Sequence, residues 1–204
     1  MPKINDVICD LEKLVLERYL QCPSNNQDHD ICWRDIRIKT SDVELDRSHV
    51  EKVISIRRKF CQDHKIKQFY FINCGNHYDV YRSEDYPNLV FKIRVPDFAA
   101  INPKFKNIYS DISNKEKDFM NNLSFDETTI DGVRLRVVQH VAPFIFIGTT
   151  CIMQKARPSI QPLQQLRKKL EETHNIVWKD NHHKNIGEIN NEVILIDTTG
   201  LRNA

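Results

Sequence analysis

The chain has 204 residues, 40% of them hydrophobic, and a formal net charge of +2 at pH 7. That apolar content can fill one sizeable core or two small lobes, and the near-balanced charge excludes a strong electrostatic pull toward nucleic acid or membrane. The opening stretch MPKINDVICDLEKLVLERYL is interrupted by charges every few positions, which excludes a signal-peptide core or a span of about 20 apolar residues. It predicts a soluble protein that is cytoplasmic as made.

Ile4, Val7, Ile8, Leu11, Leu14 and Val15 recur at three- and four-residue steps, predicting one stripe of an amphipathic helix that runs to about Leu20. The polar segment Cys22 to Asp30 reads as a loop. A second helical pattern follows, with Val50, Val53, Ile54 and Phe60 on one face and Ser48 or Asp46 as its N-cap. Residues 1–66 therefore read as a helical segment.

From Gln68 the texture changes to short aromatic and β-branched runs, FYFIN, YDVYR and LVFKIRV, separated by polar turns. These predict three antiparallel strands, with Tyr86-Pro87-Asn88 at a hairpin tip. Asn114 to Leu123 predicts a short helix with Phe119, Met120 and Leu123 facing inward, and two more strand runs follow at Val133 to Val141 and Phe144 to Met153. Beyond Pro158 and Pro162, Leu163, Leu166 and Leu170 line one side of a helix over Leu163 to His174. The six cysteines, at positions 9, 22, 32, 61, 74 and 151, form no Cys-x-x-Cys pair, so mostly buried thiols are expected rather than a zinc site or disulfide framework.

The chemistry concentrates in WKDNHHKNIGEINNEVILIDTTG, from Trp178 to Gly200. Asp180 and Asn185 stand five apart in a polar loop, and Asp197 follows the apolar strand run Val193 to Ile196. Two carboxylates and an amide supply the oxygen donors that magnesium prefers and commonly shares with phosphates. The separation, 197 − 180 = 17 residues, suits a loop and a two-strand return. Upstream, Lys92 alternates with Phe91 and Ile93 in Val90-Phe91-Lys92-Ile93, so in a strand it points off the face those two occupy.

These residues resemble the motifs of the protein kinase-like superfamily. Asp180, His182, Asn185 and Ile186 match the Asp-x-His-x-x-Asn-Ile loop of its aminoglycoside phosphotransferase branch, and Asp197 matches the metal-binding Asp that ends the next strand. The stretch Asn73 to Ile93 resembles the phosphate-covering hairpin and the strand that carries the phosphate-pairing Lys. The resemblance implies an α+β, two-lobed kinase-like fold: the N-terminal helical segment, an antiparallel-sheet N-lobe over 67–155, and a strongly reduced C-lobe over 156–204. Only four residues follow Gly200, so no activation segment is expected.

Roles carried over by resemblance make Asp180 the catalytic base, Asn185 and Asp197 magnesium ligands, and Lys92 the partner of the α- and β-phosphates of ATP. Gly75 would belong to the phosphate-covering hairpin, and Glu116 would pair with Lys92, with Asp118 and Glu127 as alternatives. Cys151 to Pro158 resembles the passage whose backbone meets the adenine edge. His182 is expected to brace the loop, and His174 and His183 to be solvent-facing or satisfied within the core. Trp178-Lys179 replaces the family's His-Arg or His-Gly, and Asp197-Thr198-Thr199-Gly200 is one residue longer than Asp-Phe-Gly.

The implied activity is transfer of the γ-phosphate of ATP, with Mg2+, to a Ser, Thr or Tyr hydroxyl of a protein. Similarity to the short kinases that bacteria encode as toxins or deliver as effectors implies a host protein substrate and a non-classical route of delivery. Two alternatives stay open: a pseudokinase that acts by binding a partner, favoured by the altered glycine loop, and a small-molecule phosphotransferase, suggested by His182. Neither nucleic acid nor membrane is an expected partner.

Overall fold

The computed structural model describes residues 3–20, 65–74, 78–94, 117–178, 182–198 and 201–203. The helix expected around Val50 to Phe60 lies outside the described residues. The chain is α+β, with a large antiparallel sheet and few helices. It divides into two compact units: unit 1 comprises Met1–Pro87, Phe91–Ser110 and Ile147–Thr150, and unit 2 comprises Asn88–Val90, Asp111–Phe146 and Cys151–Ala204.

In unit 1, helix α1 (Ile4–Leu20) buries Val7, Ile8, Leu11 and Val15, as its three- and four-residue spacing predicts. Strands β1 (Lys65–Ile66), β2 (Phe69–Cys74), β3 (Tyr78–Ser83) and β4 (Leu89–Arg94, whose Leu89 and Val90 fall in unit 2) follow in sequential order. β2 and β3 are antiparallel, with an irregularity between Phe71 and Asn73. The alternation in β4 is complete: Leu89, Phe91 and Ile93 are buried while Val90, Lys92 and Arg94 are half-buried. Phe91 meets the edges of Phe69 and Tyr86, with ring centroids 5.1 Å and 5.8 Å apart, a preferred aromatic geometry.

Two further contacts fix α1. Lys67, at the β1–β2 turn, pairs with Asp10 at 2.9 Å, an exposed contact of small energetic weight. Glu12 has more at stake: its Oε1 accepts from Thr149 Oγ1 at 2.9 Å and from the fully buried Thr150 Oγ1 at 2.6 Å. Removing that acceptor strands a buried hydroxyl.

Unit 2 holds β5 (Asp126–Ile130), β6 (Val133–Val137), most of β7 (Phe144–Ile147) and most of β8 (Thr150–Gln154). β5–β6 and β6–β7 pair antiparallel, and the strand order there runs β8-β7-β6-β5. Two expected runs are corrected. Val133 to Val141 is not one strand, because β6 stops at Val137 and His140 turns the chain with φ +66°. Phe144 to Met153 is a hairpin, with Gly148 at φ +59° between β7 and β8, a conformation glycine adopts freely. The hydrophilic DETTI of β5 carries no apolar alternation to announce it.

The short helix expected over 114–123 is described only from Lys117, where it continues to Asn121. Met120 is fully buried, and Phe119 and Leu123 pack against the same core. Helix α2 (Leu163–His174) has the expected bounds and ends at Asn175 in the left-handed region, a common helix stop. Its Leu166 and Leu170 join Trp178, Ile186, Ile194, Leu195, Phe144 and Met153 in one apolar cluster. Each such side chain contributes about 1.5–3 kcal/mol by leaving water.

Three small pairings complete unit 2. β11 (Ile186–Ile189) forms a hairpin with β12 (Glu192–Leu195), turning through Asn190 and Asn191 at φ +53° and +66°. β9 (Arg157–Pro158) pairs with β11, and β10 (Ile176–Trp178) with β13 (Leu201–Asn203). Asparagine tolerates this positive-φ region better than most residues.

Candidate functional site

Lys92 belongs to unit 1, in β4, while Asn185 and Asp197 belong to unit 2. Asp180, Gly75 and Glu116 lie outside the described residues. Asp118 is exposed on the helical turn 117–121, and exposed Glu127 faces Arg134 at 3.7 Å.

Asn185 closes a 3-10 turn over His183–Asn185. Its N–H donates to the carbonyl of His182 at 2.9 Å, and its own carbonyl accepts from Ile196 N–H at 2.8 Å and Asp197 N–H at 3.2 Å. The residue is 8% exposed. The two residues are thus brought together by backbone contacts.

The β11–β12 hairpin makes that return possible. Ile186 pairs with Leu195, so the chain re-enters beside the turn it left. Leu195 is held from the other side as well: its N–H donates to His140 O and its carbonyl accepts from Ala142 N–H, each at 2.9 Å. Such doubly bonded strand ends hold backbone geometry with little freedom.

Gly187 lets this hairpin press against β9. A Cβ there would lie 2.6 Å from Ala156 Cβ, 2.9 Å from Arg157 O and 3.2 Å from Ile196 Cγ2. Its role is close approach, and no neighbouring residue in the sequence announces it. At the opposite end of β9, Ser159 Oγ donates to Glu188 Oε1 at 2.9 Å.

The passage from Cys151 to Pro158 enters unit 2 as buried β8 and ends in β9 rather than simply at a proline. Its Lys155 N–H donates to Asn88 O at 2.7 Å. Asn88 in turn donates its N–H to Asp131 Oδ2 at 2.8 Å and its Nδ2 to Asp131 Oδ1 at 2.9 Å. This node joins two tight turns to the strand exit. Asn and Asp in turn-rich contexts were visible in the sequence, but their pairing spans 43 residues.

The histidines divide as their surroundings dictate. His182 and His183 are exposed, and the carbonyl of His182 accepts from Asn185 N–H. His174 Nε2 lies 2.9 Å from Gln139 O, so it carries the proton when it donates. Burial holds the neighbouring His140 below the ordinary histidine range, helped by Lys169 and His174 and opposed by Glu192. Fully buried Trp178 has an indole N–H without a hydrogen-bond partner among the described residues.

Of the described cysteines, Cys74 and Cys151 are buried and Cys9 is exposed on α1, in keeping with thiols that are mostly buried. No group of three or more His, Cys, Asp and Glu among the described residues is placed to hold a metal ion. Asn185 and Asp197 are the described residues that would offer oxygen donors to magnesium, an ion commonly bound through one or two carboxylates with water and substrate phosphate completing its shell. No described helix is long and apolar enough to cross a membrane. No protein-family model, curated protein or solved structure matches the chain.

Proposed function

We propose that this chain is a minimal protein kinase of two-lobed, kinase-like architecture, transferring the γ-phosphate of ATP to a Ser, Thr or Tyr hydroxyl of a protein. The observation that carries the reading is the backbone contact of Asp197 with Asn185, formed by the β11–β12 return. It sets side by side in the backbone the two residues at which the sequence resembles the metal-binding pair of kinases.

In this reading Asp180 orients the substrate hydroxyl and accepts its proton as the oxygen attacks the γ-phosphorus. The bond from that phosphorus to the β–γ bridging oxygen breaks, and ADP leaves. Asn185 and Asp197 would hold magnesium, which neutralises phosphate charge, and Lys92 would pair with the α- and β-phosphates. Catalysis of this kind is mostly positioning and electrostatic stabilisation, which suits a hairpin anchored on both flanks of Leu195.

The test is incubation of the full chain with labelled ATP and magnesium, counting label on the protein and on proteins of a cell lysate. Transfer reduced at least about a hundredfold in Asp180→Ala supports the reading, and label transferred at an undiminished rate in that variant refutes the mechanism. One feature favours a nucleotide-binding pseudokinase instead. Gly75 is the single glycine in the stretch Asn73 to Ile93, where the phosphate-covering hairpin it resembles usually carries three. A magnesium-dependent thermal shift with ATP, without transfer, would select that alternative.

A further inference from the structure

We propose that the protein substrate of this site is an acidic segment, recognised through the turn from His182 to Lys184; this rests on the phosphotransferase reading above. His182, His183 and Lys184 are all exposed and run directly into buried Asn185. Within the turn, Asn185 N–H is bonded to His182 O and Ile186 N–H to His183 O. These two bonds tie carbonyls of the turn to its own chain, and His183 and Lys184 present exposed side chains beside it.

Those side chains are donors in excess. An ammonium has three N–H donors and no acceptor, and an imidazole donates from one nitrogen when neutral and from both when charged. The side chains of His183 and Lys184 make no hydrogen bond or ion pair with the described residues. The next carboxylate along the chain, Glu188, accepts from Ser159 and is turned to that contact. A partner that brings carboxylates matches this surface.

Position links the surface to the chemistry. Lys184 precedes Asn185, which is bonded to Asp197, and it follows the proposed base by 184 − 180 = 4 residues. Four residues span at most about 14 Å of chain. A peptide residue two or three places from the acceptor hydroxyl lies roughly 7–10 Å from it, within the same range. Acidic residues flanking the acceptor can therefore meet Lys184 and His183 while the hydroxyl sits at the base.

The experiment uses the full chain, ATP, magnesium and peptides that share one acceptor but carry Glu, Ala or Lys flanks. Transfer to the Glu peptide should exceed the Ala peptide roughly fivefold in kcat/KM, the scale of an exposed ion pair, and the advantage should fade near about 1 M salt. Lys184→Glu should invert the ranking, whereas Lys168→Glu on α2 should keep it. Equal rates on the three peptides, or an unchanged ranking in Lys184→Glu, overturn the proposal while phosphate transfer itself stands. A fourth peptide with phosphoserine flanks overturns the assignment to carboxylates if it is the faster substrate. Absence of ATP-dependent transfer to any peptide, and to the chain itself, overturns the kinase reading and this proposal together.

Discussion

The main-chain N–H of Asp197 donates to the carbonyl of Asn185 across 3.2 Å, twelve positions back along the chain (197 − 185 = 12). The hairpin between them converts that separation into adjacency, since Ile186 is paired with Leu195. Because the bond is backbone to backbone, neither side chain is a party to it.

Asp180→Ala should reduce phosphate transfer by about 10²–10⁴, the usual contribution of a positioned base. Asp197→Ala should abolish detectable transfer while the far-UV circular dichroism and melting temperature stay close to those of the unmodified chain. Initial rates with ATP and magnesium, read beside the melting curves, check both. A collapse of the fold in Asp197→Ala would contradict the backbone account of this site.

Gly187→Ala tests the close approach of β11 to β9. The added methyl would meet Ala156 Cβ at 2.6 Å and Arg157 O at 2.9 Å, and backbone on one side cannot rotate away. Overpacking of this kind costs about 1–3 kcal/mol. Urea denaturation should show a lower midpoint with an unchanged slope.

Glu12→Ala removes the acceptor shared by Thr149 and Thr150. Because Thr150 is buried, the expected cost is about 1–3 kcal/mol. Glu12→Gln keeps a carbonyl acceptor and should cost less. Equal losses in the two variants, measured by denaturation, would show that charge rather than acceptance matters at α1.

His140 predicts a pH dependence with a definite sign. Its folded pKa lies below the ordinary value of 6.5, first because of burial and then because of Lys169 and His174. The unfolded chain therefore binds the proton first as pH falls, so stability is full above about pH 7 and declines through the folded value. His140→Asn tolerates the φ of +66° and should flatten that decline. The effect should stay under about 1 kcal/mol because the imidazole is only partly buried and solvent screens it, and is read as the difference between the two stability profiles from pH 5 to 8.

Several elements were already evident in the order of residues. The α1 stripe, the runs that became β2, β3 and β4, and both ends of α2 follow from local periodicity, which reports how one element faces a core. Asp180, Asn185 and Asp197 stood out by residue type and spacing. The alternation that set Lys92 apart from Phe91 and Ile93 was visible in the same way.

Tertiary structure alone decided the rest. β5 is polar along its length and becomes a strand through its pairing with β6; its local composition carries no such signal. The bond from Asp197 to Asn185, the confinement of Gly187 and the acceptance of Thr149 and Thr150 by Glu12 all join residues distant in sequence. Periodicity shows which side of an element is apolar. Which partner meets that side depends on loop closure and on the packing of the whole chain, and that is where the candidate site acquired its geometry.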